Sequence, residues 1–191
     1  MALSVKAILR RRAALQIREI TFDIFGHPKH DPGVLKSAQD FLRPFLNTHR
    51  YALVLFDYEG CGRGEARERI SAAVQAKLDA NGWRDRSAVH IIDPELEAWV
   101  WSRSPYVAPA LGWHSRGSLD KFLAQAGFLQ PPAIKPNRPK EAMKAALRHV
   151  QRPMSSAIHR NIAAHVSFAE CIDPCFLEFA HTLQRWFDVA A

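Results

Sequence analysis

Two carboxylates stand directly behind an apolar run in the first half of the chain. The run ALVLF occupies residues 52–56, and Asp57 and Glu59 follow it. Two positions apart on extended chain, both side chains point the same way and can face one ion. Mg²⁺ is commonly held by one or two carboxylates together with water and substrate phosphate. The pattern predicts a Mg²⁺ or Mn²⁺ site at Asp57 and Glu59, and the alternative is a turn and helix-entry pair.

Three glycines follow these acids and raise the possibility of a phosphate-binding loop. They are Gly60, Gly62 and Gly64, and Glu65 comes next. A dinucleotide fingerprint would need glycine where Glu65 stands, and a P-loop would need lysine and a hydroxyl residue after its last glycine. The preceding carboxylates would also repel a phosphate resting on the same amides. The glycines are therefore predicted to let the chain turn sharply beside the acids.

A second set of acids lies in the stretch IIDPELEAWVW, residues 91–101. Asp93 and Pro94 have the types expected at the start of a helix, and a first-turn acid there suits the helix dipole. That structural explanation competes with a functional one. Neighbouring parallel strands would bring this segment near the first acid pair, so Glu95 and Glu97 are candidate catalytic residues together with that pair.

The charge of the chain favours an anionic partner. Its 26 Lys and Arg residues outnumber its 19 Asp and Glu residues, for a net charge of +7. Nucleic acid is the commonest partner of such a chain. The candidate contacts to nucleic-acid phosphates are Arg138, Lys140, Lys144 and Arg148. The alternative is that these residues form the solvated face of an exposed helix.

The elements expected to position these residues alternate between helix and strand in the first part of the chain. Strands are predicted at residues 18–25, 51–56 and 88–92, and helices at 5–16, 34–48 and 65–80 with another from Asp93-Pro94. Later helices are predicted at 119–126, 139–150, 155–166 and 174–187. This order indicates an α/β fold in which a small, mostly parallel sheet is flanked by helices. We predict an α/β domain over residues 1–113 and a helical C-terminal region over 114–191.

Composition argues against membrane and disulfide-rich classes. The longest apolar runs are strand-sized, well below the roughly 18 residues of a membrane helix. Three cysteines in a chain of 191 residues do not form a disulfide framework. We therefore expect a cytoplasmic protein that does not associate with membranes.

Taken together, these motifs resemble those of TOPRIM-like proteins. TOPRIM is the metal-binding α/β module of topoisomerases, primases and several phage-defence nucleases. The strings ALVLFDYEGCG, IDPELEAWVWSRSPYV, KPNRPKEAMKAALR and DPCFLEFAHTLQRWF are similar to those of a small-protein family encoded with bacterial methylation-associated defence systems. The likeness runs from about residue 5 to residue 187. It implies Mg²⁺ binding at Asp57 and Glu59, which match the TOPRIM Asp-x-Asp motif with Glu in the second place.

The same resemblance implies a further glutamate, which TOPRIM enzymes carry just after an earlier strand. That strand would precede residue 5, where this sequence has only Met1–Ser4. We expect either that the chain is truncated at its start or that this glutamate is absent. Two hypotheses follow: a metal-binding defence component that acts on or senses nucleic acid and cleaves phosphodiesters if catalytic, or a non-catalytic assembly subunit. The second would use its basic helices to hold DNA or another defence-system protein.

Overall fold

The structure, a computed structural model, describes residues 1–62, 64–130, 132–169 and 171–189. The chain divides into two compact units. Met1–Ile24 and Leu96–Ala191 form the first, called here the helical unit, and Phe25–Glu95 form the second, the sheet unit. Each unit has its own cluster of buried apolar side chains.

Two parallel strands form the centre of the sheet unit. Strand β1 spans Ala52–Asp57 and β2 spans Ser87–Ile92, in a register that pairs Ala52 with Ser87 and Asp57 with Ile92. Alternate residues of β1 are buried, with Phe56 fully enclosed. The predicted α/β class, with a small parallel sheet flanked by helices, is confirmed, and both strands lie within one residue of their predicted bounds.

Two helices cover this pair of strands. Helix α3 spans His30–Leu42 and continues into a 3₁₀ turn at Arg43–Phe45, and α4 spans Arg67–Leu78. Helix α4 packs on β2, and α3 packs on both α4 and β1. The chain leaves α4 through a wide turn at Asp79–Trp83, where Gly82 adopts a φ of 90°. The buried ring of Trp83 closes the core at this end.

The helical unit contains short helices from both ends of the chain. The bounds are α1 Ala2–Leu9, α2 Arg12–Leu15, α5 Glu97–Val100, α6 Val107–Ala110, α7 Arg116–Gln125, α8 Pro139–His149, α9 Ser156–His165 and α10 Pro174–Trp186. Helix α1 packs along α9, and α5 packs on both α8 and α9. The core is dominated by Trp101, Leu111, Leu119 and Met143, all with 0% exposure.

The two units differ from the predicted division at residue 113. The N-terminal helices and residues 96–113 belong with the C-terminal helices because their apolar faces fill the core of the helical unit. Val5 and Ile8 of α1 are buried, and so are Val107 and Leu111.

The predicted strand at residues 18–25 is wrong. This segment has no regular secondary structure and pairs with neither strand. Its backbone instead makes an isolated bond, from the Arg18 N–H to the Phe187 carbonyl at 3.0 Å. The side chains of Phe22 and Ile24 are only half-buried, so a β-like composition alone did not bring the segment into the sheet. Across the described ranges, no helix is both long and apolar enough to cross a bilayer.

Candidate functional site

The first acid pair lies in a turn at the carboxyl end of β1, and residues 57–60 are called here the acid turn. Asp57 is half-buried at the end of the strand, and Glu59 is exposed where a 3₁₀ turn begins. The Tyr58 N–H donates to the Ile92 carbonyl at 2.9 Å, and the Glu59 N–H donates to the Pro94 carbonyl at 3.0 Å. The acid turn is thereby tied to the segment that follows β2.

Further bonds hold the loop after the acid turn. The Tyr58 hydroxyl donates to the Glu65 carbonyl at 2.9 Å, and the Cys61 thiol donates to the Tyr58 carbonyl at 3.1 Å. Gly62 adopts a φ of 68°, in the left-handed region that favours glycine. This conformation agrees with the turn-forming role predicted for the glycines.

A third carboxylate, which sequence reasoning missed, adjoins the acid turn. Asp31 lies in the first turn of α3, and a Cβ placed on Gly60 would stand 2.3 Å from its Oδ2 atom. No local pattern signals this approach, because Asp31 precedes the acids by a helix and a strand. Among the described residues, no group of three or more His, Cys, Asp or Glu side chains could hold a metal ion. The acid turn offers two carboxylates rather than a closed cage, and the helical φ and ψ of Tyr58 between them (−62° and −49°) replace the extended chain on which the shared-ion prediction rested.

The second set of acids is divided between the two units. The predicted helix start at Asp93-Pro94 is wrong, since α5 begins only at Glu97. The Pro94 carbonyl instead accepts the Glu59 N–H, which keeps this segment alongside the acid turn. Glu95 is buried, with 3% exposure, in the sheet unit. The structure therefore places the backbone of residues 92–94, which directly precede Glu95, beside Asp57 and Glu59.

Glu97 has a partner within the helical unit. One of its carboxylate oxygens lies 3.7 Å from the Nε2 atom of His159 on α9, and both side chains are largely buried, at 8% and 13% exposure. Burial lowers the pKa of His159, and the nearby Glu97 carboxylate acts in the opposite direction. The buried Glu97 carboxylate faces a cation when His159 is protonated and a neutral ring otherwise.

The predicted nucleic-acid residues lie on or next to α8. Arg138 precedes the helix and is exposed, with its guanidinium 5.0 Å from the centre of the Phe128 ring. Lys144 and Arg148 are exposed, and Lys140 is half-buried. The spacing of four residues places these three cations on one face of the helix.

The face of α8 next to these cations is apolar and anchors the helix. Met143 and Leu147 are buried in the core of the helical unit. The indole N–H of Trp101 donates to the Pro139 carbonyl at 2.9 Å and holds the first turn. The basic face, defined as Lys140, Lys144 and Arg148, is therefore carried by a firmly packed helix.

Comparison with known proteins gives a family without an assigned activity. Neither a search of curated proteins nor a search of solved structures found a match to this chain. One family, described as Domain of unknown function (DUF4276), matches residues 4–184. That match spans nearly the whole sequence, and the chain accordingly belongs to the DUF4276 family.

Proposed function

We propose that this chain is a TOPRIM-like, Mg²⁺-binding component of a bacterial anti-phage defence system that acts on or senses nucleic acid. The observation that carries the proposal is the position of the acid turn at the carboxyl end of β1. In open parallel sheets, ligands bind beyond the carboxyl ends of the strands. The bonds from Tyr58 and Glu59 to the segment after β2 hold the acids at that edge.

The donor chemistry of the acid turn fits a divalent cation. Asp57 and Glu59 supply the oxygen ligands that Mg²⁺ and Mn²⁺ prefer. Two protein carboxylates suffice for an ion that keeps several waters and takes further ligands from a phosphate. When bound, the cation would neutralise phosphate charge and lower the pKa of a bound water. The half-buried Asp57 would hold the ion at the strand end, and the exposed Glu59 would complete the pair on the solvent side.

The basic face supports nucleic acid as the partner. Lys140, Lys144 and Arg148 share one face of α8. A row of cations on a rigid helix neutralises phosphates and releases counterions, so the binding depends steeply on salt. Arg138 adds a guanidinium at the start of the same helix.

A second function is favoured by the engagement of Glu97. This residue was a candidate for the acidic set, and its carboxylate lies beside His159 in the helical unit. If Glu97 is not one of the catalytic acids, the catalytic hypothesis is weakened, whereas binding through the basic face is unaffected. The second candidate is therefore a non-catalytic subunit whose basic face holds DNA or another defence-system protein.

A calorimetric titration of Mn²⁺ tests the metal site. We expect the wild-type protein to bind Mn²⁺, and we expect Asp57→Asn and Glu59→Gln each to lose most of that binding. Asp40→Asn is the matched control, because Asp40 is an exposed carboxylate elsewhere in the sheet unit. Equal binding by all four proteins would place the ion elsewhere, and no binding by any of them would refute the metal-dependent function.

The salt dependence of nucleic-acid binding tests the basic face separately. For each phosphate that Lys144→Gln or Arg148→Gln no longer neutralises, the plot of log binding constant against log salt should become less steep. The expected decrease is about 0.7 for single strands or about 0.9 for duplex DNA. Glu141→Gln on the same helix is the control and should not reduce the slope. Slopes that stay unchanged in both cation variants would remove α8 from the interface. If the protein binds nucleic acid but the titration shows no Mn²⁺ binding, the non-catalytic subunit is favoured.

A further inference from the structure

A partly exposed aromatic cluster in the sheet unit plays no part in the function proposed above. The rings of Phe25 and Phe45 are stacked, with centroids 4.3 Å apart and an interplanar angle of 24°. His49 meets both rings edge-on, at 6.3 Å from Phe25 and 5.4 Å from Phe45. These three rings are called the aromatic platform. Phe25 is its outer member and is 47% exposed.

The backbone that carries two of the three rings is held in place. The guanidinium of Arg86 donates from Nη1 to the carbonyls of Leu46 and His49, at 3.0 Å each. The same guanidinium lies 4.3 Å from the centre of the buried Trp83 ring. Phe45 and His49 are therefore preorganised beneath Phe25, and a ligand that stacks on the platform loses little free energy to ordering these two rings.

Positive charge flanks the aromatic platform. The segment RPFLNTHR, residues 43–50, contains two arginines and no acidic residue. Arg43 and Arg50 are both exposed, and the guanidinium of Arg86 lies against the same segment. An apolar peptide would leave this charge without compensation. A ligand that has both a planar ring and an anionic backbone would complement it.

We propose that the aromatic platform binds a base of single-stranded nucleic acid, which stacks on Phe25 while adjacent phosphates lie near Arg43 and Arg50. Bases of a single strand are free to stack on aromatic side chains, whereas those of a duplex are already stacked on one another. This inference deepens the proposed function and rests on it for nucleic acid as the partner. It adds a surface in the sheet unit that is distinct from the basic face of α8.

The test compares two oligonucleotides of about ten nucleotides, a length typical of single-stranded sites. One carries bases and the other is abasic with the same number of phosphates. Fluorescence anisotropy in EDTA measures both affinities without any contribution from a metal site. We expect wild-type protein to bind the base-containing strand about 5- to 150-fold more tightly, the range for losing one stacked base. DNA and RNA versions are measured in parallel, and a preference for bases in either one supports the proposal.

Four variants separate stacking from charge and from folding. Phe25→Ala and Phe25→Leu should bind the two strands equally, and the leucine keeps apolar contact with Phe45 if the alanine variant unfolds. Phe25→Tyr keeps the aromatic face and should retain the preference for bases. The control is Tyr106→Ala, because Tyr106 is also exposed, at 55%, but lies in the helical unit. It should retain the preference as well.

The outcomes distinguish this inference from the proposed function. Equal binding of both strands by wild-type protein would overturn the aromatic platform and leave the nucleic-acid function standing. A preference for bases that survives in Phe25→Leu would also overturn the platform. If wild-type protein binds neither strand nor a duplex, the proposed nucleic-acid function fails together with this inference.

Discussion

The ion pair of Lys135 and Asp173 joins the proline-rich segment before α8 to the start of α10. Lys135 Nζ lies 2.8 Å from Asp173 Oδ2, and Asp173 Oδ1 accepts the Phe176 N–H at 3.1 Å. The side chains of Asp173 and Lys135 are only 8% and 21% exposed. One carboxylate therefore caps a helix and also neutralises a nearly buried cation. Its substitution has two costs that different variants separate.

The structure sets the expected size of each cost. Asp173→Asn keeps an oxygen for the helix cap and removes the charge that faces Lys135. Removing one partner of a fully buried pair costs about 3–5 kcal/mol, but the exposed fifth of Lys135 lets its ammonium reach water, so we expect about 1–2 kcal/mol. Asp173→Ala also removes the cap, which adds about 1 kcal/mol. The alanine variant should lose about 2–3 kcal/mol of unfolding free energy.

Urea unfolding of a double-mutant cycle measures these costs. The cycle consists of Lys135→Met, Asp173→Asn and the double variant, with shifts in midpoint read at constant slope. We expect the double variant to lose about 1 kcal/mol less than the sum of the single variants. The matched control is Arg12 with Glu19, a pair 2.6 Å apart whose side chains are 58% and 82% exposed. Its coupling should stay below about 0.5 kcal/mol, within the range of surface pairs.

Additive costs in the Lys135 and Asp173 cycle would refute this reasoning. Equal losses in Asp173→Asn and Asp173→Ala would show that the cap contributes nothing.

Three further predictions concern other parts of the two units. Trp101→Phe removes the N–H donor of the buried Pro139 carbonyl and should lower the unfolding free energy by about 1–3 kcal/mol in urea titrations. In Gly33→Ala, the new Cβ would clash with the His27 ring and would stand 2.7 Å from the Cβ of Lys29, so the melting temperature should fall, and an unchanged value would contradict this packing. Because burial lowers the pKa of His159, unfolding takes up a proton, and the free energy of unfolding should fall as pH decreases below about 6.5. His159→Gln should flatten that part of the stability profile, and an unchanged profile would exclude His159 as its source.

Local sequence patterns predicted a helix or strand correctly where the residues of that element alone determine its type. The apolar run before Asp57 predicts an interior strand buried on both faces; β1 ends at that residue, but only its alternate residues are buried. The prolines at 139 and 174 stand at the first position of their helices, as the predicted helix starts required. Lys140, Lys144 and Arg148 recur every fourth residue, and the predicted helix at 139–150 places them on one face of α8.

Predictions failed where the outcome depends on a distant partner. Residues 18–25 have the composition of a strand, but a strand forms only when the segment is brought alongside a partner, and this segment pairs with neither β1 nor β2. Asp93-Pro94 has the types of a helix start, but the backbone there pairs with Glu59. Propensity is a weak prior in both cases, and tertiary context overrides it.

The residue pattern was enough to establish an α/β protein with paired acids behind a strand and a basic amphipathic helix, because each of these features is encoded within about one element. Folding in three dimensions was needed to establish that Asp31 adjoins the acid turn, that Glu97 lies beside His159, and that Phe25 stacks on Phe45. In each of these contacts the partners are separated by at least part of another element. Their distance depends on how whole helices and strands pack, and no local spacing of residue types carries that information.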